Sequence, residues 1–147
     1  MEKLLPANAV LEDLVGYQLQ LASSAFLSDW VETSGAISIR RIQFALLAVI
    51  AENPGIRQGE AGNRLGIQRA YMVSLINELL EKGLIERKVD NDDRRALVLS
   101  LTSLGHKSFE AGLALIREHE DKMLWNFTKK DMAKLIQLLK KITRPAG

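Results

Sequence analysis

Apolar residues recur every three to four positions along most of the chain, which is the spacing of one face of an α-helix. Helices are predicted at residues 9–32, 39–52, 57–65, 68–82 and 103–125, and a last helix follows the capping-box sequence Thr128–Asp131. Breaks fall at Gly35, Gly55, Gly66 and Gly83. Glycine ends helices readily because a positive φ costs it little. The pattern predicts a mainly helical protein.

Two segments depart from helical spacing. Residues 84–89 and 96–101 are β-rich or alternate between apolar and polar side chains, and the polar run DNDDRR joins them. This is typical of a β-hairpin. Thr102 follows the second strand and has the residue type of an N-cap for the long helix that comes next.

The order of these elements predicts the architecture. The helices at 57–65 and 68–82 are joined by a tight turn at Gly66. Two short helices with a glycine turn between them are typical of a helix-turn-helix. The hairpin directly after it makes a winged helix-turn-helix, so the predicted fold class is mainly α with a small β wing plus a helical dimerisation region. The first helix and the last two carry wide apolar faces outside this module. A homodimer is the simplest way to bury them, because a two-fold axis lets one surface cover its own copy.

Composition narrows the possible functions. The 147 residues carry a net charge of +2, which permits nucleic-acid binding without arguing for it. The lack of cysteine excludes disulfides, thiolate metal sites and a cysteine nucleophile. The apolar runs are too short to span a membrane, and the N-terminal sequence has no signal-peptide core. We therefore expect a soluble, cytoplasmic protein with no membrane partner.

Residue patterns typical of enzymes do not stand out. The sequence has no evident nucleophile–base pair, nucleotide-binding glycine loop or paired carboxylate. His106 and His119 are 13 residues apart, which is not a metal-ligand spacing. We therefore expect no enzymatic activity, no cofactor and no bound metal.

The segment INELLEKGLIERKVDNDDRRALVLSLTSLG, residues 76–105, resembles the MarR family of transcriptional regulators. The family pattern has Asp-x-x-Asp-x-Arg in the wing, then alternating apolar residues, Leu-Thr and a glycine. These places are filled here by Asp90, Asp93, Arg95, Leu101, Thr102 and Gly105. The resemblance covers nearly the whole chain. It implies a triangular homodimer whose recognition helices enter the major groove of double-stranded DNA and whose wings reach the adjacent minor groove.

The resemblance also implies a division of the chain and a mode of regulation. One MarR-like domain would cover residues 1–147, with dimerisation helices at 8–34 and 103–144 and a DNA-binding lobe at 38–101. Family members are usually repressors that release DNA when a small phenolic, aromatic or oxidising signal binds. Gly59 and Gly62 depart from the family pattern, and a glycine inside a helix costs roughly 1 kcal/mol against alanine.

The outer face of the predicted recognition helix, residues 68–82, contains candidates for reading DNA. Its apolar residues share the opposite face, which is formed by Met72, Leu75, Ile76 and Leu79. Arginine can read guanine, glutamine can read adenine, and alanine or tyrosine can touch a thymine methyl. The predicted DNA contacts in this region are Arg57, Arg64, Gln68, Arg69, Ala70, Tyr71 and Ser74. An ordinary solvated polar face is the alternative interpretation.

Two adjacent arginines, Arg94 and Arg95, lie at the tip of the predicted hairpin. On an arbitrary surface such residues would be solvated and contribute little. In a hairpin that follows a helix-turn-helix, DNA contact is the favoured interpretation, because a narrow minor groove concentrates negative potential and attracts an inserted arginine. We predict that Arg94 enters the groove, whereas Arg95 braces the wing through Asp93 and contacts phosphate.

A second arginine pair and several aromatic residues are candidates for an effector site. Arg40 and Arg41 open the helix at 39–52, which is the unfavourable end for cations. They are either solvated or paired with acids, or they hold an anion such as operator phosphate or the acid end of an effector. The predicted effector site comprises Tyr17, Trp30, Arg40, Arg41, Phe44, His106 and Phe109, with Trp125 and Phe127 as further candidates. Plain core packing is the alternative for each aromatic residue.

Together these features predict a homodimeric repressor that binds a pseudo-palindromic operator and is released by a small effector. An aromatic acid or its thioester is the effector expected by analogy with the family. The alternative is a winged-helix protein-interaction module that does not bind DNA, which the helix glycines and the modest local charge would favour.

Overall fold

The computed structural model describes residues 9–34 and 39–144, with side chains in the first of these ranges described from Val10 to Ser28. The elements in chain order are α1 (Ala9–Glu12), α2 (Val15–Ser34), α3 (Arg41–Glu52), β1 (Ile56–Arg57), α4 (Gln58–Leu65), α5 (Arg69–Glu81), β2 (Ile85–Val89), β3 (Leu97–Leu101), α6 (Ser103–Met123) and α7 (Lys129–Thr143). The strands form an antiparallel sheet in the order β1-β3-β2. This is the winged helix-turn-helix with flanking helices that the sequence predicts.

The hydrophobic core lies beneath the helix-turn-helix and is built from α3, α5 and the sheet. Fully buried side chains from these elements meet there: Leu46, Leu47, Ile50, Leu75, Ile76, Leu79 and Leu99. β3 is the central strand, because Leu99 pairs with Ile56 of β1 on one side and with Arg87 of β2 on the other. The core therefore fixes the position of α5 relative to the strands that follow it.

Helix α3 buries a wider face than its apolar spacing predicts. The helical spacing of Ile42, Leu46, Val49 and Ile50 predicts that all four point inward, but Ile42 and Val49 are only partly buried. Gln43 and Leu47 are fully buried instead. The helix contacts α4, α6 and β3, so it is enclosed on several sides, and a spacing that marks a single face misses the residues on the others.

The first predicted helix is in fact two helices. A continuous helix over residues 9–32 is wrong at residues 13 and 14, where α1 has ended and α2 has not begun. The side-chain amide of Gln18 donates to the carbonyl oxygen of Glu12 across the break at 2.9 Å. A side chain thus satisfies a carbonyl that a helix terminus would otherwise leave without a partner.

Strand β1 is an element that the sequence pattern did not reveal. It contains only Ile56 and Arg57, which pair with Leu99 and Val98 of β3. Gly55 precedes it with φ +78° and donates its N–H to the Leu99 carbonyl at 2.9 Å. Two residues are too few to show the alternation by which strands are recognised.

Caps set the starts of the last two helices, as predicted. The hydroxyl of Thr102 accepts from the N–H of Gly105 at 3.0 Å and donates to the carbonyl of Gly83 at 2.6 Å. Thr128 and Asp131 form a reciprocal capping box, with N–H···O distances of 3.1 Å and 2.8 Å. The Thr102 bonds also join α6 to the end of the helix-turn-helix.

Gly105 allows a close approach between α6 and the chain before β2. A Cβ at this position would overlap the carbonyl oxygen of Leu84 and come within 3.4 Å of the Leu101 side chain. Leu84 also accepts the N–H of Thr102 at 3.1 Å. The glycine in the family pattern therefore has a steric reason.

Several helices leave apolar side chains uncovered. No residue of α7 is buried, although its apolar stripe is formed by Met132, Leu135, Ile136, Leu139 and Ile142. The first two helices and the break between them behave similarly, with Val10, Leu14, Leu21 and Leu27 exposed. A helix of this length is marginal in water without packing. These two sets of residues, which we call the uncovered apolar face, therefore need a partner surface.

Candidate nucleic-acid interface

A tight turn and a close helix contact hold the helix-turn-helix in shape. Gly66 adopts φ +64° between α4 and α5, and the N–H of Ile67 donates to the carbonyl of Gly62 at 2.9 Å. A Cβ at Gly62 would lie 3.4 Å from Cγ of Met72. α5 packs against this position, but a Cβ there would make only an ordinary van der Waals contact, so packing does not by itself require glycine at position 62.

The structure places the predicted DNA-reading residues of α5 on its outer face. Met72, Leu75, Ile76 and Leu79 are buried. The predicted contacts at this helix are all exposed: Gln68, Arg69, Ala70, Tyr71 and Ser74. Gln68 is the N-cap residue, yet its side chain makes no capping hydrogen bond. The N-terminal part of the helix therefore offers an amide, a guanidinium and a phenol to whatever lies outside it.

An open cleft of about 540 Å³, which we call the wing cleft, lies between the helix-turn-helix and the hairpin. Arginines from three separate elements line it: Arg57 of β1, Arg69 of α5 and Arg95 of the hairpin turn. Gly59 also lines this wing cleft, and no heavy atom lies within 4 Å of where its Cβ would be. The open space at this position shows that packing against a neighbouring element does not require glycine at residue 59.

Two of the predicted DNA-contacting arginines are held by acids. Arg57 bonds Asp90 through Nε at 2.7 Å and Nη2 at 2.6 Å. Arg64 bonds Glu60 at 2.8 Å and the side chain of Asn53 at 3.0 Å. The Arg57–Asp90 pair connects β1 to the start of the hairpin turn, a link that the sequence reasoning missed.

Asp90 is held as a carboxylate by two donors. The backbone N–H of Asp92, 3.2 Å from Oδ1, and the guanidinium of Arg57 lower the pKa of Asp90 below its usual value. An Asp that bonds the N–H two residues later is a common turn-forming arrangement, and it is the local signal that could have marked this residue. Asp90 thus shapes the turn and orients Arg57 at the same time.

The wing, which comprises β2, β3 and the turn between them, presents two exposed arginines. Asp93 accepts the backbone N–H of Arg95 at 3.0 Å, and the N–H of Ala96 donates to the carbonyl of Asp93 at 2.9 Å. Asp93 therefore shapes the turn through the backbone of Arg95. Within residues 9–34 and 39–144, the guanidinium groups of Arg69, Arg94 and Arg95 make no hydrogen bond or ion pair.

A polar cluster joins the start of α3 to the C-terminal part of α5. Arg40 forms an ion pair with Glu78, and Nε2 of Gln43 donates to the same carboxylate at 2.6 Å. The Oε1 atom of Gln43 accepts from the N–H of Arg40 at 3.0 Å and from Lys82 Nζ at 3.2 Å. Of the interpretations considered for Arg40, the structure shows the paired one. Its neighbour Arg41 is exposed.

The predicted effector residues are only partly brought together. The rings of Phe44 and Phe109 stack between α3 and α6, with centroids 5.4 Å apart. His106 is exposed one turn earlier in α6, and Tyr17 is half-buried in α2. The remaining aromatic candidates lie elsewhere: Trp125 is 81% exposed and Phe127 is exposed. The side chain of Trp30 lies outside the described residues.

A second aromatic contact was not predicted. Phe26 of α2 meets the buried His119 of α6 edge to ring, with centroids 5.6 Å apart. Among the described residues, no group of three or more His, Asp or Glu side chains is placed to hold a metal ion. No helix in the described ranges is long and apolar enough to cross a membrane.

Comparison with known proteins places this geometry in context. The MarR family pattern matches residues 37–96. The chain is 31% identical over 106 residues to the HTH-type transcriptional regulator BilQ of Clostridium symbiosum (strain WAL-14163). The aligned region covers 72% of each of the two chains. It is 29% identical over 149 residues to a putative transcriptional regulatory protein for the hcr operon of Thauera aromatica, covering 95% of this chain and 89% of that one.

A solved structure shows the same similarity in three dimensions. The transcriptional repressor CouR, bound to a 23-mer DNA duplex, is 28% identical and superimposes with a TM-score of 0.87. The match covers 95% of this chain and 99% of CouR. The similarity therefore extends beyond the winged module to the flanking helices.

Proposed function

The chain belongs to the MarR family of winged helix-turn-helix transcriptional regulators, and we propose that it is a homodimeric repressor that binds a pseudo-palindromic DNA operator. The observation that carries DNA binding is the convergence of Arg57, Arg69 and Arg95 on one cleft beside the exposed face of α5. Arg57 is held by Asp90, whereas Arg69 and Arg95 make no hydrogen bond or ion pair in the described part of the chain and are available for phosphate or base contact. The similarity to CouR, a repressor bound to a DNA duplex, supports DNA binding by this chain.

The homodimer is supported by the uncovered apolar face. α7 buries none of its residues within one chain although Leu135, Ile136 and Leu139 lie along one stripe. We assign residues 8–34 and 103–144 to the dimerisation region and residues 38–101 to the DNA-binding lobe. Two copies of such a surface cover each other across a two-fold axis, which places two recognition helices at a fixed separation.

The proposed regulation acts through the separation of the two lobes. An effector that binds one arrangement of the dimer more tightly shifts the population toward it. The Phe44–Phe109 stack joins α3 of the lobe to α6 of the dimerisation region, and the exposed Arg41 lies one turn before Phe44. By analogy with the family, the proposed effector is a small molecule with an aromatic ring and an acid or thioester group.

Substitution at the wing tip tests DNA binding and the roles of the two arginines. We expect Arg94→Ala to weaken binding about 10-fold at moderate salt, because a minor-groove arginine contributes both charge and hydrogen bonds. Arg95→Ala should weaken it less, about 3-fold, as expected for a residue that contacts phosphate and does not enter the groove. Affinity for the DNA upstream of the protein's own gene would be measured by mobility shift across a salt series.

Arg117→Ala is the control, because it removes an exposed arginine on α6 away from the wing. Equal affinity of Arg94→Ala and wild type at every salt concentration would show that the wing tip does not contact DNA. Failure of the wild type to shift any fragment at low salt would instead favour a protein-interaction module that lacks DNA binding.

A further inference from the structure

Glu78 places a negative charge on the face of α5 that carries the proposed DNA contacts. It follows Ser74 by four residues and Tyr71 by seven, so the three side chains share one side of the helix. A carboxylate in that position repels operator phosphates unless a cation neutralises it. Arg40 is the cation that pairs with it, from the N-cap position of α3.

We propose that Arg40 and Gln43 are positioning residues for DNA recognition, which neutralise Glu78 and hold its carboxylate turned toward α3 and away from the DNA. The inference rests on the proposed function and adds to it residues that contact no base. The cluster formed by Arg40, Gln43, Glu78 and Lys82 would thereby set both the local charge and the orientation of the recognition helix.

Gln43 gives the cluster its rigidity. Its side chain is 1% exposed, and both ends of the amide are bonded within the cluster. A buried amide that loses a partner pays a desolvation cost that water cannot relieve. The Nε2 donor therefore keeps the Glu78 carboxylate in one place, at 2.6 Å.

Arg40 is the solvent-accessible member of the cluster, because its side chain is 54% exposed. The hydrogen bond to Glu78 is the largest influence raising the pKa of Arg40, and Tyr71 adds a smaller one. Arg40 is thus linked both to the acid on α5 and to a residue that we expect to touch DNA. Removing it takes one of the two cations of the cluster away from Glu78 and leaves Lys82, four residues further along the same helix.

A double-mutant cycle tests this reading. We expect Arg40→Ala to weaken operator binding about 5- to 10-fold. The slope of the logarithm of affinity against the logarithm of salt concentration should become shallower by about one. Glu78→Gln should strengthen binding about 3-fold with a steeper salt dependence, because it removes a repulsive charge and retains an acceptor for Gln43. The double variant should return to within about 2-fold of wild type.

Two control variants separate the neutralisation of Glu78 from other causes of changed operator affinity. Glu81→Gln removes an exposed acid from the same helix, and Arg117→Ala removes an exposed arginine from α6. Neither should reproduce the cycle. Thermal unfolding measured on each variant identifies any effect that comes only from lost stability, which would leave the salt slope unchanged.

The outcomes distinguish this inference from the proposed function. A double variant as weak as Arg40→Ala would mean that Arg40 itself contacts phosphate, which overturns the positioning role. An Arg40→Ala variant that binds like an intact wild type would overturn it as well. A wild type that binds no DNA would overturn both the inference and the proposed function.

Discussion

We expect Ile136→Glu to convert the dimer into monomers and to weaken operator binding at least about 100-fold, or roughly 2.7 kcal/mol. Ile136 lies on the apolar stripe of α7 and is 53% exposed within one chain. In a dimer interface a glutamate at this position would be a buried, unpaired charge, which costs several kcal/mol. A monomer also loses the advantage of two linked half-site contacts. Light scattering coupled to size exclusion would measure the mass, and anisotropy the affinity.

Gln137→Glu is the matched control for this substitution. It introduces the same acid on the same helix, on the polar side of α7, where the residue is already exposed. We expect this variant to stay dimeric with near-native operator affinity. A dimer of unchanged mass for Ile136→Glu would show that α7 is not part of the interface.

The second large effect is expected at Gly105. Alanine at this position should destabilise the fold by about 3 kcal/mol or more, because overpacked sites relax only by moving backbone. The atom that a Cβ would overlap is the carbonyl oxygen of Leu84, which cannot rotate away as a side chain could. Leu84 is itself buried at the edge of the core. Urea unfolding followed by circular dichroism would give the free energy of unfolding.

Gly59→Ala provides the comparison for this prediction. Gly59 is also a helical glycine, but the space around its Cβ position is open. Alanine there should stabilise the protein by about 0.5–1 kcal/mol through helix propensity. Equal unfolding midpoints for the Gly105 variant and the wild type would contradict the steric reason given for that glycine.

Local features of the fold were predictable because local residues determine them. Gly66 takes the positive φ expected of a tight turn, and Thr102 caps α6 through its hydroxyl. The buried face of α5 was also predictable, since Leu75, Ile76 and Leu79 follow one another at helical spacing. In each case the signal lies within a few residues of the structure it specifies.

Features that depend on distant residues were not predictable in the same way. The Arg57–Asp90 and Arg40–Glu78 pairs join residues 33 and 38 positions apart. Nothing in the spacing of a charged residue names its partner across such a distance. The buried position of Gln43 has the same origin, because an amide is placed in a core only when several elements supply its hydrogen bonds.

The most direct test of a dimeric DNA-binding regulator is selection of bound fragments from a random DNA pool by the wild-type protein. We predict enrichment of a pseudo-palindrome whose half-sites are centred about one helical turn apart, about 10 base pairs, as two recognition helices on a two-fold axis require. Enrichment of no sequence, or of a single half-site without symmetry, would contradict the proposal of a dimeric DNA-binding regulator.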